Sequence, residues 1–185
     1  MSIDFNVVLL HDKMVDRRGT LVTTSLTLID VHDIARSCMT FSSHAYVAHP
    51  SPAMRKLAHI MKSYWENGFG AEYNPHRRTA LMNLDIASSL DEVIHKIDLR
   101  TGKLPKLIAT SAHQSPNRVT FSELRQKLES GDPYLMMLGT GWGMSDELLA
   151  RADYFLEPVL GPGDYNHLSV RSACAIMLDR LMGRR

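Results

Sequence analysis

Three glycines spaced by two residues, Gly139, Gly141 and Gly143, follow an apolar run that has the composition of a buried strand. They lie in the stretch YLMMLGTGWGMSDELL (134–149). Glycine at the end of a core strand reduces order, so it is tolerated where the backbone needs a positive φ or where another group must approach the main chain closely. The spacing therefore raises the question of what approaches this loop.

Two other predicted strands also end in loops rich in small residues. These are LIATSAHQSPN (107–117) and YFLEPVLGPGDYNHL (154–168). Ligands of parallel α/β sheets bind beyond the carboxyl ends of the strands. The three loops together predict one pocket lined by main-chain N–H and C=O groups, which suits a flat polar ligand such as a nucleobase.

The glycine stretch is also close to the phosphate-binding turn of dinucleotide-binding enzymes. GTGWG follows a predicted strand and precedes a predicted helix, and Glu157 ends the next strand, where a ribose-binding acid would lie. The third glycine, however, comes one position early, and the helix SDELLARA is only about two turns long. A Rossmann-like enzyme that binds NAD or another nucleotide remains an alternative.

Strands and helices alternate along the chain. Apolar runs predict strands at 5–10, 45–49, 81–87, 105–112, 134–138 and 153–157, and a strand or an extended loop at 21–29. Helical patterns predict helices at 30–41, 52–67, 90–100, 121–130, 145–152 and 167–183. This alternation predicts an α/β fold with a three-layer, mainly parallel sheet. Asp30 and Ser51 are candidate N-caps, and Ser89–Glu92 and Thr120–Glu123 are candidate capping boxes.

The composition restricts the class of protein. The chain has 185 residues, a net charge of +1 and 44% hydrophobic residues, which predicts a single globular domain over 1–185 with no separate RNA-binding domain. No apolar run reaches about 18 residues, so no membrane association is expected. MSIDFNVVLL carries acid where a signal peptide needs base, and Cys38 and Cys174 are expected to be buried thiols, so we expect a cytoplasmic protein. The nine histidines show no HExxH or comparable spacing, so no metal site is expected.

Basic residues are concentrated in two places. They are the pair in NPHRR and four arginines near the C-terminus: Arg77, Arg78, Arg171, Arg180, Arg184 and Arg185. A chain so close to neutral is not typical of proteins that bind nucleic acid through a strong positive field. Two solvated faces or a local patch that contacts phosphate are both consistent with this pattern.

Two long stretches resemble the C-terminal signature of the SPOUT, or α/β-knot, RNA methyltransferases. They are LGTGWGM and ADYFLEPVLGPGDYNHLSVRSACAIMLDRL. TTSLTLIDVHDIARSCMTF and YNPHRRTAL are similar to the first helix and the mid-chain signature of a small group of S-adenosylmethionine (SAM)-dependent RNA methyltransferases. The resemblance covers nearly the whole chain. It implies a deep trefoil knot over about residues 105–183, a departure from the rule that chains are unknotted.

The resemblance also implies a cofactor and partners. The donor would be SAM, and the substrate would be the base or ribose of a tRNA or rRNA. The protein would be a homodimer that pairs through its first and last helices. Because the net charge is low and no separate RNA module is expected, a partner protein is a further candidate for RNA recognition.

In this family the knot loops hold the donor with backbone groups. The matching residues here are Thr110, Ser111, Ala112, Leu138, Gly139, Gly141, Gly143, Glu157, Pro158, Leu160, Gly161, Asn166, Leu168 and Ser169. A Cβ at Gly139 or Gly141 is expected to block the approach of adenine to the main chain. Trp142 either stacks on a ligand or plugs the end of the sheet.

The candidate catalytic residues are Asp30, Arg36, His167 and Arg171. The ribose-methylating branch has asparagine six residues before an arginine, where DVHDIAR has Asp30 and Arg36, and asparagine in its third motif, where this chain has His167. These departures put ribose methylation by the usual route in doubt.

Each candidate catalytic residue has a proposed role. Arg36 would orient phosphate or the nucleophile, and Asp30 or His167 would act as the base, histidine having the better pKa near neutrality. Helix capping by Asp30 or His167, and ion pairs of Arg36 and Arg171 across a dimer interface, are the competing interpretations. A fold that has lost turnover and only binds RNA or a nucleotide is a third function that stays open.

Overall fold

The structure, a computed structural model, describes residues 3–112 and 117–184, and a parallel sheet lies at its centre. The sheet strands are β1 Phe5–Leu10, β4 His44–Ala48, β5 Leu84–Ala87, β6 Lys106–Ala109, β7 Tyr134–Leu138 and β8 Tyr154–Phe155, in the order β5-β4-β1-β7-β6-β8. All five strand pairs are parallel. A small antiparallel hairpin, β2 Met14–Val15 with β3 Leu21–Val22, lies outside this sheet.

Helices cover both faces of the sheet. They are α1 Leu28–Thr40, α2 Pro52–Asn67, α3 Phe69–Tyr73, α4 Pro75–Met82, α5 Leu90–Thr101, α6 Phe121–Lys127, α7 Asp146–Leu149 and α8 Val170–Met182, with a 3-10 turn at Leu128–Ser130. On one face α1, α2, α4, α6 and α8 share a core cluster, and on the other α5 and α7 share a second one. The predicted mainly parallel α/β fold is confirmed.

The two central strands, β1 and β7, coincide with continuous apolar runs in the sequence. Every residue of β1 and of β7 is buried. Val7 and Leu9 face the first core cluster while Val8 and Leu10 face the second. Strands covered on both sides by helices need apolar residues at consecutive positions, and this is the pattern that predicted 5–10 and 134–138 correctly.

Some predicted element boundaries were wrong. The helix predicted from Asp30 begins at Leu28, and its N-cap is Thr27. Asp30 lies in the first turn and accepts a hydrogen bond from the Thr27 hydroxyl, an arrangement that the helix dipole also favours. The strand predicted at 81–87 begins only at Leu84, because Leu81 and Met82 complete α4. The segment predicted as a strand or extended loop at 21–29 forms only the short β3 before the loop that leads to α1.

The helix ends confirm most of the predicted caps. Thr120 and Glu123 form a complete capping box at α6. Ser89 caps α5 by accepting from the Glu92 amide, but the Glu92 carboxylate bonds Ser88 instead of completing the box. Ser51 is the N-cap of α2, although its side chain makes no capping bond. No helix in the described ranges is long and apolar enough to cross a membrane.

The first and last helices pack against each other. Arg171 of α8 pairs with Asp30 of α1 at 2.8 Å. Cys38 and Cys174 are buried free thiols, as predicted, one on each helix. A hydrogen bond with Cys174 and burial together raise the pKa of the Cys38 thiol. The ion pair and the two thiols therefore join α1 and α8 on one face of the sheet.

Replacing Thr120 by Ala is expected to lower the free energy of unfolding by about 1 kcal/mol, because the change removes the capping box of α6. Ser51→Ala is the matched control, since Ser51 is an N-cap whose side chain makes no capping bond. We expect that control to change the free energy of unfolding by less than about 0.5 kcal/mol. Urea unfolding followed by circular dichroism measures both, and equal losses would contradict the role of the box.

Candidate functional site

Loops from different parts of the chain meet at the carboxyl ends of β6 and β8. Glu157 N donates to Val119 O at 3.0 Å, and Val119 N donates to Phe155 O at 2.8 Å. The side chain of Asn166 donates to Ala112 O at 2.7 Å. These bonds bring three of the predicted donor residues, Ala112, Glu157 and Asn166, into one cluster of loops. Residues 113–116 of the predicted loop lie outside the described residues.

The glycine loop follows β7 at the same edge of the sheet. Gly141 and Gly143 have φ angles of +63° and +113°, which explains two of the three glycines by backbone conformation alone. At Gly139 a Cβ would lie 2.9 Å from Met144 Cγ and 3.4 Å from Met14 Sδ. On the side where a Cβ would lie, Gly139 is therefore packed against the protein's own methionines, which requires glycine there without any ligand. A contact of adenine with this loop stays a prediction.

The N-terminal hairpin covers the glycine loop. Val15 N donates to Gly143 O at 3.0 Å, and Ser145 N donates to Lys13 O at 3.0 Å. A Cβ on Gly141 would lie 3.1 Å from Thr24 Cγ2. Sequence reasoning missed this contact between residues 13–24 and 139–145, because it considered each loop with its own strand.

A buried polar network anchors the middle of the glycine loop. The Thr140 hydroxyl donates to Leu10 O at 3.0 Å and lies 2.5 Å from the Thr24 hydroxyl, which in turn lies 3.0 Å from His11 Nδ1. The Thr24 hydroxyl also lies 3.4 Å from His11 O. Thr24 therefore links the end of β1 to the middle of the glycine loop.

Two histidines border this network. His49 Nε2 donates to Thr24 O at 3.1 Å, while its Nδ1 accepts from Ser51 N at 3.0 Å. The rings of His11 and His49 lie 5.1 Å apart. Both residues were missed as site residues, although each directly follows a strand, β1 or β4. Their position after a strand end was the available signal.

Burial and the neighbouring His49 lower the pKa of His11 to about 4. The side chain is 1% exposed, and its Nε2 has no hydrogen-bond partner among the described residues. A proton added to this ring would be buried with no carboxylate bonded to it. His11 is therefore neutral near neutral pH, with its Nδ1 hydrogen-bonded to the Thr24 hydroxyl.

The candidate acceptor side lies on α1 and α8. Arg171 bonds Asp30 at 2.8 Å and lies 3.6 Å from Asp33, which lies 3.9 Å from Arg36. Three predicted catalytic residues, Asp30, Arg36 and Arg171, thus share one charged surface. Arg171 does pair with carboxylates, but they belong to its own chain.

His167 lies apart from this surface contact. It is exposed and packs edge-on against Tyr165, with 5.3 Å between ring centroids. The interpretation of His167 as a helix cap is wrong, since α8 begins at Val170 and Ser169 caps it by accepting from Ser172 N.

The remaining predicted donor residues fall into two groups. The first group is engaged in contacts within the protein. The Thr110 hydroxyl donates to Met137 O, Leu138 and Pro158 are buried, and the Glu157 carboxylate accepts from Phe121 N at the start of α6. Glu157 is therefore directed to α6, which argues against its use as a ribose-binding acid. The other group is open or partly open to solvent: Ser111, Leu160, Gly161 and Leu168.

The loops that flank the cluster carry exposed apolar side chains and leave open space beside the main chain. Leu160 and Leu168 expose 46% and 47% of their surface on the loops that flank the cluster, and a Cβ at Gly161 would meet nothing within 4 Å. These residues offer apolar contacts and open space beside main-chain groups. Trp142 is 59% exposed, so it does not plug the end of the sheet. In the described residues no group of three His, Cys, Asp or Glu side chains could hold a metal ion.

A family model described as a SAM-dependent RNA methyltransferase matches residues 4–183. The chain belongs to this family. It is therefore a methyltransferase that uses SAM and acts on RNA, and the nicotinamide and non-catalytic alternatives are not supported.

Individual relatives agree with the family. A protein of Aquifex aeolicus (strain VF5), named only as an uncharacterized protein, is 39% identical over 96% of this chain and 88% of that protein. A tRNA (guanine-N(1)-)-methyltransferase of Oleidesulfovibrio alaskensis is 38% identical over 95% of this chain, but the chain spans only 41% of that protein.

A solved structure with the same fold is the SpoU methyltransferase AviRb from Streptomyces viridochromogenes in complex with AdoMet. Its TM-score is 0.57 at 16% identity, over 98% of this chain and 61% of that one. At this identity the likeness concerns the fold. It supports the SPOUT-type arrangement of the sheet, whereas the residues of the site must be argued from this chain.

The free energy of unfolding is expected to fall as the pH is lowered from about 6.5 to about 4, because the unfolded chain protonates His11 in this range and the folded protein does not. His11 contributes about 3 kcal/mol to this fall at about 1.4 kcal/mol for each pKa unit. In His11→Asn, whose side-chain amide can still hydrogen-bond Thr24, the fall is smaller by that amount. His59→Asn, at an exposed position of α2, controls for the loss of a histidine. Urea unfolding at several pH values measures the slopes, and identical slopes in wild type and His11→Asn would contradict the assignment.

Proposed function

We propose that the protein transfers the methyl group of SAM to a tRNA at the carboxyl edge of β7, β6 and β8. The observation that carries this proposal is the convergence of the loops after β6 and β8, joined by the bonds of Glu157 with Val119 and of Asn166 with Ala112. The name of the Oleidesulfovibrio relative favours tRNA as the substrate. The proposal does not extend to N1 of guanine, because this chain corresponds to less than half of that relative.

The proposed deep trefoil knot over about residues 105–183 is supported by the order of the strands. β7 lies between β1 and β6, and the chain after β8 contacts the loop after β6 before it enters α8. A chain that passes through the loop between β6 and β7 would make these contacts.

The donor is proposed to be held by the main chain of three loops and by apolar side chains around them. Ser111 and Ala112 would contribute from the first loop, Gly141 from the glycine loop, and Leu160 and Leu168 from the segment before α8. When bound, SAM supplies an electrophilic methyl group on a sulfonium. The remaining predicted donor residues would shape these loops: Thr110, Leu138, Gly139, Gly143, Glu157, Pro158, Gly161, Asn166 and Ser169.

On the acceptor side, we propose that His167 removes the proton from the target atom. Asp30 is a poorer candidate, because one of its oxygens accepts from Arg171 and the other from the Thr27 hydroxyl. Asp30 would instead hold Arg171 in place. Arg36, whose side chain is 55% exposed and only 3.9 Å from Asp33, would contact an RNA phosphate.

A homodimer that pairs through α1 and α8 is part of the proposal. Ile29 and Met39 on α1 are 56% and 42% exposed, and large apolar side chains on a helix surface favour burial against a partner. Recognition of the tRNA would then fall to the dimer surface or to a partner protein. The cytoplasm is the proposed location, because two buried free thiols suit a reducing compartment.

Gly161→Val tests the donor loops. A Cβ at Gly161 meets nothing within 4 Å and the residue has no positive φ, so the stability should not change. Crowding in the donor site should weaken binding of S-adenosylhomocysteine by roughly ten- to a hundredfold. Isothermal calorimetry measures this, with Gly163→Val, also in open space, as the matched control. Binding of NAD but not of S-adenosylhomocysteine by the wild type would refute the donor assignment.

His167→Gln is expected to lower kcat for methyl transfer to tRNA by about a hundredfold or more, because it removes the proposed general base. The affinity for S-adenosylhomocysteine should stay unchanged. His95→Gln on α5, at the other face of the sheet, is the matched control. Radiolabel transfer from SAM gives the rates, and a His167→Gln rate close to that of the wild type would rule out this role.

A further inference from the structure

Residues 52–82, which form α2, α3 and α4 between β4 and β5, differ in charge from the rest of the chain. They contain five Lys and Arg residues and two Glu residues, a net charge of +3, in a chain whose total is +1. The remainder of the chain is therefore slightly acidic. The local positive charge falls on a helical segment to which the proposed donor and acceptor residues do not belong.

Two exposed aromatic rings lie on this segment. Phe69 and Tyr73, at the two ends of α3, are 70% and 73% exposed. Their rings stack on each other, with 6.0 Å between centroids and 22° between planes. We call these two residues the α3 aromatic pair. Large aromatic side chains that remain in solvent on a short helix are unusual unless they meet a partner.

The α3 aromatic pair is held on a tightly packed base. A Cβ at Gly70 would lie 2.7 Å from the rings of both Tyr64 and Trp65, so glycine is what lets α3 lie against α2. Tyr64 and Trp65 themselves meet edge-on at 5.1 Å. The pair is therefore presented by a fixed support, which lowers the entropy lost when a ligand stacks on it.

Basic groups lie beside this support and lead toward α1. The Arg77 guanidinium lies 4.4 Å from the centre of the Trp65 ring, and Arg78 is exposed, with its Nε bonded to Glu66 O. The ring of His32 on α1 lies 5.8 Å from the ring of Trp65. His32 Nδ1 lies 3.7 Å from Asp33 Oδ1, which lies 3.9 Å from Arg36. These contacts connect α4 to α1, and we call Arg36, Arg77 and Arg78 the basic strip.

We propose that the α3 aromatic pair and this basic strip bind an unpaired segment of the substrate RNA. Bases would stack on Phe69 and Tyr73, and phosphates would contact Arg78 and Arg77. The strand would then pass Trp65 and His32 toward Arg36, next to the acceptor residues. This inference rests on the proposed function, because it assumes that the substrate reaches the site beside α1 and α8.

The chemistry of the surface favours single-stranded RNA over a second protein. Aromatic faces stack on any unpaired base, and arginines attract the backbone, whereas the centre of a protein interface is depleted of charge. A duplex keeps its bases stacked inside and cannot use the aromatic pair. Binding should therefore depend on strandedness as well as on charge.

The test is fluorescence anisotropy with labelled oligouridine of about 12 nucleotides, a length within the usual span of single-strand sites, and with an RNA duplex of similar length. The double variant Phe69→Ala, Tyr73→Ala is expected to bind the single strand about tenfold or more weakly, and the duplex almost unchanged. Leu99→Ala is the matched control, because Leu99 is also 73% exposed but lies on α5 at the other face of the sheet.

The proposed contact between Arg78 and an RNA phosphate is tested separately. Arg78→Gln is expected to weaken single-strand binding about three- to tenfold and to reduce the salt dependence by about one phosphate contact. Arg78→Lys keeps the charge and should restore most of the affinity. Equal loss in both Arg78 variants would mean that its bond to Glu66 O, and not its charge, is what matters, and would overturn the phosphate contact.

The outcomes separate this inference from the proposed function. If wild type binds oligouridine and the aromatic double variant binds it equally well, the surface is overturned while the function stands. If wild type binds S-adenosylhomocysteine but no RNA probe, the tRNA proposal fails together with the surface. If light scattering shows that the double variant alone loses half of its molar mass, the aromatic pair is a dimer contact and the RNA surface is overturned.

Discussion

The insertion of β7 between β1 and β6 is the constraint on which the rest of the molecule depends. Because β7 pairs in parallel with both neighbours, its carboxyl end emerges between the end of the first strand of the chain and the loop that follows β6. The glycine loop therefore lies beside the N-terminal hairpin, where Val15 N bonds Gly143 O. Complete burial of β1 and β7 makes this arrangement costly to change, since both faces of each strand are packed.

The glycine loop owes its shape to contacts within the protein before any ligand is considered. Thr140 at its centre is held by the Leu10 carbonyl and by Thr24, and the hairpin residues Lys13 and Val15 bond its far end. His11 bonds the Thr24 hydroxyl and stays neutral, so the anchor does not change near neutral pH. A loop prepared in this way needs little reorganisation to bind a flat ligand with its backbone.

On the face of the sheet that α1 and α8 cover, ion pairs between side chains hold the elements together. Arg171 bridges Asp30 and Asp33, and Arg36 lies at the edge of the same group. Pairing ties α8 to α1 and leaves Arg36 as the most open cation of the group. The basic strip that leads to it from α4 passes His32 and Trp65, so the helices that close the core would also guide the substrate.

The sequence by itself determined the class of fold, since fully buried parallel strands demand unbroken apolar runs, and those at 5–10 and 134–138 were found at their true bounds. It also located caps that act within a few residues, such as Thr120 with Glu123. It could not show the partners of Asp30 and Gly139, because most of them are distant in the chain: Arg171 for the first, and Met14 together with the nearer Met144 for the second. Only the tertiary structure brought His11, Thr24 and Thr140 together, because hydrogen bonds between separate strand ends leave no local pattern.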